Sequence, residues 1–164
     1  MSTPQLFPGY CIDTSALIDL WRRFYPPDVF PSLWQKIEKL ISQGWLIAPR
    51  EVLKELEQKD DELLKWAKER KKIFRKLDYD QINKMRDILR RFPNLVDENK
   101  TIPEADPFVI ALALSKGWTV ITSERPANLQ ANPTARPKIP DVCTHYGMKC
   151  INLIEFFREQ KWEF

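Results

Sequence analysis

The chain has 164 residues and a mass of 19.5 kDa, the size of one domain, with 43% apolar and 30% charged residues. That balance excludes a disordered chain, a collagen and a disulfide scaffold, and the longest clear apolar run, 108–114, falls well short of the ~20 residues a bilayer crossing needs. A formal charge of +3 identifies no partner by itself. The N-terminal stretch MSTPQLFPGY has neither a basic start nor an apolar signal core, so export is not expected. Three cysteines (Cys11, Cys143, Cys150) suit a reducing, cytoplasmic setting.

In chain order, Tyr10, Cys11 and Ile12 form a short apolar strand ending at Asp13-Thr14-Ser15. Helical spacing follows in Ala16, Leu17, Leu20, Trp21 and Phe24, until Pro26-Pro27 stops it. A second helix fits 32–43 with Gly44 as its stop, 45–48 read as a strand, and Pro49 suits the first position of the next helix. Residues 50–59, 61–77 and 79–91 read as a charged helical region. Asp106-Pro107 opens an almost wholly apolar helix closed by Gly117, and 118–122 read as a buried strand. A Pro-rich loop is expected over about 125–142, then a strand at 149–151 and a helix from Asn152. Strands alternating with helices require crossovers, which predicts a single α/β domain over 1–164: a three-layer α/β/α arrangement with a mainly parallel sheet and a charged helical insert at about 59–91.

In such sheets ligands bind beyond the carboxyl ends of the strands, so the residues just after each strand come first. Asp13 follows the first strand and Asp106 precedes Pro107; each also suits a helix N-cap. Glu124 follows 120–122, where it could equally pair with Arg125. In the helix after Pro49, Val52, Leu53 and Leu56 define the buried arc; Glu55 and Glu57 flank it on opposite edges, while Glu51 and Lys54 point further away. Periodicity does not choose between Glu55 and Glu57. Carboxylates converging on one sheet edge repel one another and protonate unless a cation neutralises them. An all-oxygen donor set selects Mg²⁺ or Mn²⁺ over zinc, and such ions serve phosphate chemistry.

The order Ile12-Asp13-Thr14-Ser15-Ala16-Leu17, Val52-Leu53-Lys54-Glu55-Leu56, Ala105-Asp106-Pro107-Phe108-Val109-Ile110 and Val120-Ile121-Thr122-Ser123-Glu124 resembles the PIN-domain family of metal-dependent ribonucleases over residues 10 to about 157. The resemblance implies a parallel sheet between helices. It implies Asp13, Glu55, Asp106 and Glu124 as catalytic and metal-binding acids, which would decide for Glu55 over Glu57, and Ser15 and Thr122 as supporting hydroxyls. It further implies Mg²⁺ or Mn²⁺ as cofactor and endonucleolytic cleavage of single-stranded RNA to 5′-phosphate and 3′-hydroxyl ends. An antitoxin protein and a homodimer are partners it allows; a membrane is not. The chain departs from the family's compact toxins in carrying Glu rather than Asp at the fourth acidic position, in the longer insert and in the Pro-rich loop.

The segment 59–76 holds eight basic and four acidic residues, and Lys71, Lys72 and Arg75 stand out as candidates for binding nucleic-acid phosphates, against the simpler reading of a solvated helix face. The six tryptophans sit at core-like spacing. No Gly-rich phosphate loop or nucleophile elbow is present, which argues against nucleotide hydrolysis and covalent hydrolase chemistry. The competing functional reading is a non-catalytic RNA- or protein-binding module of the same fold, and a second is a small-molecule phosphohydrolase.

Overall fold

A computed structural model describes residues 9–59, 61–101 and 103–164. Most of the N-terminal stretch examined for an export signal, residues 1–8, lies outside them. Five strands form one wholly parallel sheet in the order β3-β2-β1-β4-β5: β1 Tyr10–Ile12, β2 Leu46–Pro49, β3 Phe74–Arg75, β4 Thr119–Ile121 and β5 Cys150–Ile151. The expected three-layer α/β/α architecture is the one observed. Strands β1, β2 and β4 are buried along their whole length, which is why each reads as an unbroken apolar run rather than an alternating one.

The helices are α1 Thr14–Ile18, α2 Pro31–Ser42, α3 Arg50–Leu56, α4 Glu62–Lys68, α5 Tyr79–Arg91, α6 Asp106–Lys116, α7 Ile139–His145 and α8 Leu153–Glu159. α1 continues directly into a π-helical turn, Asp19–Phe24, that the apolar spacing did not distinguish from ordinary helix. α6 is the central helix: Val109 to Ala113 are all buried, and it packs against β1, β2, β4, α5 and α7. Gly117 ends it at φ 66°, in the left-handed region where a side chain would be strained. Three tryptophans, Trp21, Trp34 and Trp66, meet edge-on or tilted in one cluster, and Phe156 fills the space between Tyr10 and Trp162.

Three sequence expectations need correcting. The charged insert is not purely helical: Ile73 and Phe74 are buried and 74–75 pair with Ala48–Pro49 as the sheet's edge strand, too short to show a period. The Pro-rich loop ends earlier than expected, because 139–145 form α7; Pro140 sits in its first turn, and Ile139, Val142 and Cys143 are buried. Pro49 precedes α3 as its cap residue instead of occupying the first helical position.

The topology fixes where the chemistry can sit. The chain runs from β1 outward to β2 and β3, then returns to place β4 on the other side of β1. The crevice beyond the carboxyl ends of β1 and β4 is therefore the topological switch point of the sheet. Gly9 leads into β1 with no room for a side chain: a Cβ there would lie 2.6 Å from the Trp118 ring. Gly9→Ala is expected to displace that ring and to lower unfolding free energy by about 1–3 kcal/mol, read from the denaturant midpoint.

Candidate functional site

Asp13 is the first residue past β1 and the N-cap of α1. Its carboxylate is buried and fully engaged. The Ala16 N–H donates to Oδ1 at 2.8 Å, the Ser15 hydroxyl lies 2.9 Å from both oxygens, and the Thr122 hydroxyl donates to Oδ2 at 2.6 Å. Thr122 is the first residue past β4, so this bond ties together the two strands of the switch point, beside the Asp13 N–H bond to the Ile121 carbonyl. Ser15 and Thr122, the two hydroxyls the resemblance implies, both bond the Asp13 carboxylate. Burial pushes the Asp13 carboxyl up to about 7, against the lowering effect of the Thr122, Ala16 and Ser15 bonds; the charge of Glu124 adds to the rise.

Asp106 opens α6, but not as its cap. Ala105 occupies the cap position, and Asp106 is the first helical residue with Pro107 second. The capping role that the sequence allowed for it is therefore not taken up. Burial, followed by the like charges of Glu124, Asp13, Glu55 and Glu104, raises its carboxyl to about 8.

Glu55, in α3, and Glu57, its C-terminal cap residue, differ in their surroundings. Glu55 is half-buried and its Oε1 accepts the Ala105 N–H at 2.6 Å, next to Asp106, whereas Glu57 is exposed. Burial raises the Glu55 carboxyl, offset in part by that N–H. Glu51, expected to point away from the core, is instead buried, with Arg50 3.4 Å from one oxygen. Glu124 does not pair with Arg125; its Oε2 accepts the Ile139 N–H at 2.9 Å and its own N–H reaches the Thr122 hydroxyl at 3.0 Å.

Glu55, Asp106 and Glu124 line one cavity of 520 Å³, with Glu104, Lys100 and Thr101 on its rim. Asp13 lies buried beside this cavity instead of lining it. Lys100 and Glu104 are residues the sequence reading missed. Lys100 bonds Glu104 at 2.8 Å, and Arg136, outside the cavity lining, reaches the same carboxylate at 2.9 Å. Their four-residue spacing immediately before Asp106 was the available signal. Lys71, Lys72 and Arg75 are exposed, in and beside the edge strand β3, and none of them lines the cavity.

A family model for a domain of unknown function matches residues 10–164, almost the whole chain. The chain belongs to this family, DUF4411. Among curated proteins none matches it.

Among the described residues, no three of the His, Cys, Asp and Glu side chains are drawn together closely enough to hold a metal ion. The reason lies in the bonds above: Asp13, Glu55 and Glu124 are each held by protein donors. The donor chemistry nonetheless suits a hard divalent cation. Every candidate ligand is an oxygen, and Mg²⁺ takes one or two carboxylates plus waters and substrate phosphates, not a complete protein cage. Among the described residues no helix is long and apolar enough to cross a membrane.

Proposed function

We propose that this protein is a PIN-like endoribonuclease that uses Mg²⁺ or Mn²⁺ to hydrolyse phosphodiesters of single-stranded RNA. The observation that carries the reading is the cavity beside the switch point, whose wall Asp106 shares with Glu55 and Glu124, three acids delivered by separate segments of the chain. Asp106, with Glu124 or Glu55 from the same cavity wall and waters, would hold the ion. When bound, it would supply Lewis-acid polarisation of the phosphodiester and the positive charge that lets these carboxylates ionise together.

The chain's own groups supply the rest. Asp13 keeps its orientation through Ser15 and Thr122, so one edge of the hollow is rigid. Lys100 in the cavity wall offers charge to a polyanion that the acids alone would repel. An antitoxin protein or a second copy of the chain belongs to this reading as a partner that could cover the same opening.

A labelled single-stranded oligoribonucleotide incubated with the purified protein and Mn²⁺ is expected to be cut internally to 5′-phosphate ends, with no cutting in excess EDTA. Intact RNA in Mn²⁺ combined with turnover of a nucleoside monophosphate would point to the small-molecule phosphohydrolase, and intact RNA with neither activity to the non-catalytic module.

A further inference from the structure

The acidic cavity gives no role to the three cysteines, all of them free thiols, and the fold treats them differently. Cys11 is fully buried in β1, where its thiol donates to the Val109 carbonyl at 3.6 Å. Cys143 is fully buried in α7, and Cys150 opens β5. Between these two the chain reverses tightly. The Gly147 N–H donates to the Thr144 carbonyl at 3.2 Å, the Met148 N–H donates to the Cys143 carbonyl at 2.9 Å, and Gly147 takes φ 65°. Cys150 then falls into register with Val120 of β4. The reversal sets the two side chains against one another, and the Cys143 thiol is hydrogen-bonded to that of Cys150. Of the three, Cys150 alone meets a solvent-filled space: it is half-buried and lines a cleft of 640 Å³ that also touches Thr122, Ser123 and Glu124.

We propose that Cys143 and Cys150 are a redox pair that a peroxide, entering through this cleft, closes into a reversible disulfide. The pair stands apart from the nuclease reading and does not depend on it. The Cys150 thiolate attacks one peroxide oxygen and breaks the O–O bond, leaving Cys150 as a sulfenic acid; the departing hydroxide takes up the proton the thiol has lost and becomes water. The Cys143 sulfur then displaces the sulfenic hydroxyl, which leaves with the Cys143 proton as a second water, and the S–S bond is formed. Two thiols are oxidised and one peroxide is reduced to two waters. The order of events follows from the surroundings. The bond to Cys150, and after it burial, pushes the Cys143 thiol up, so Cys143 stays protonated and out of reach until Cys150 has reacted beside it. Contact between the two sulfurs makes the second step intramolecular, which favours it over further oxidation of Cys150. Burial likewise pushes the Cys11 thiol up, and Cys11 lines no part of the cleft. Intracellular disulfides are mostly transient and redox-sensing, which agrees with a pair that starts as free thiols. The bond would tie to the sheet the helix whose first N–H, that of Ile139, holds Glu124.

The test exposes the reduced full chain to hydrogen peroxide, alkylates the remaining thiols after denaturation and maps tryptic peptides. Cleavage after Lys149 puts the two thiols on separate peptides, 139–149 and 150–158, so the disulfide is read as their covalent linkage. The linked pair is expected in the parent, with Cys11 alkylated, and dithiothreitol is expected to separate it. Cys11→Ser is expected to form the same linkage. Cys143→Ser is expected to leave Cys150 as a sulfenic acid that a cyclic 1,3-diketone traps, a readout that a merely buried, inert pair would not give; circular dichroism checks that each variant is folded. A parent in which all three thiols remain alkylatable, a linkage that involves Cys11 or joins two chains, or over-oxidation of Cys150 without linkage would overturn the proposal.

Discussion

Asp106→Asn is expected to lower Mn²⁺-dependent RNA cleavage by roughly 10²–10³-fold, the scale of losing one preorganised electrostatic group, and at the same time to stabilise the metal-free protein at pH 8. Most inactivating core-edge substitutions destabilise, so the opposite signs are the diagnostic feature. They follow from the geometry. Asp106 opens α6 without capping it, so the amide removes no capping bond. What it removes is a charge opposed by burial and by Glu124, Asp13, Glu55 and Glu104. At pH 5 that carboxyl carries a proton in the folded chain but is ionised in the unfolded one, so the variant's advantage is already present there and smaller than at pH 8. An inactive variant whose stabilisation over the parent grows from pH 5 to pH 8 supports the account; equal activity of variant and parent contradicts it.

The stability of the metal-free parent is expected to fall as pH rises from about 4 to about 8. Asp13 rises from an ordinary 3.8 to about 7 and Asp106 from 3.8 to about 8, and Glu55 is raised as well. Between the unfolded and folded values the native chain holds more protons than the unfolded one, so unfolding free energy decreases with pH at up to ~1.4 kcal/mol per pH unit for each such proton. The stabilising contribution is complete below the unfolded values near 4 and is lost on passing the folded values near 7 and 8. Urea titrations at pH 5, 6, 7 and 8 in EDTA measure it directly. A divalent cation should flatten the decline, since it favours the ionised carboxylates. A profile that instead climbs through this range would show that these acids are stabilised in the charged form and do not crowd one another.

The central strands and one acid with its two hydroxyls were legible in the sequence for a shared reason: they are short-range or fully buried patterns. Tyr10–Ile12 and Thr119–Ile121 are continuous apolar runs, and Asp13, Ser15 and Thr122 lie immediately beyond them. What was not legible depends on partners far away in the chain. The burial of Glu55 and its bond from the N–H of Ala105, fifty residues on, are not encoded in helix periodicity. Glu51 enters the core at a position the apolar arc of its helix did not include. β3 is two residues long and α7 begins among prolines, so neither shows a period. Lys100 matters because of where the chain before α6 lies, not because of its neighbours in sequence. The basic cluster at Lys71, Lys72 and Arg75 shows the converse: a strong compositional signal that the fold leaves apart from the acidic cavity.

Thermal unfolding of the EDTA-treated protein at pH 7.5, with and without millimolar Mn²⁺ and alongside Asp106→Asn, tests most directly whether the gathered acids form a cation site. A ligand that binds only the native state must raise the midpoint, by about 2.7 kcal/mol of stabilisation at a hundredfold excess over its dissociation constant. The parent is expected to shift upward with Mn²⁺ and the variant to shift little or not at all. A parent midpoint that Mn²⁺ leaves unchanged, or equal shifts in parent and variant, would contradict the account.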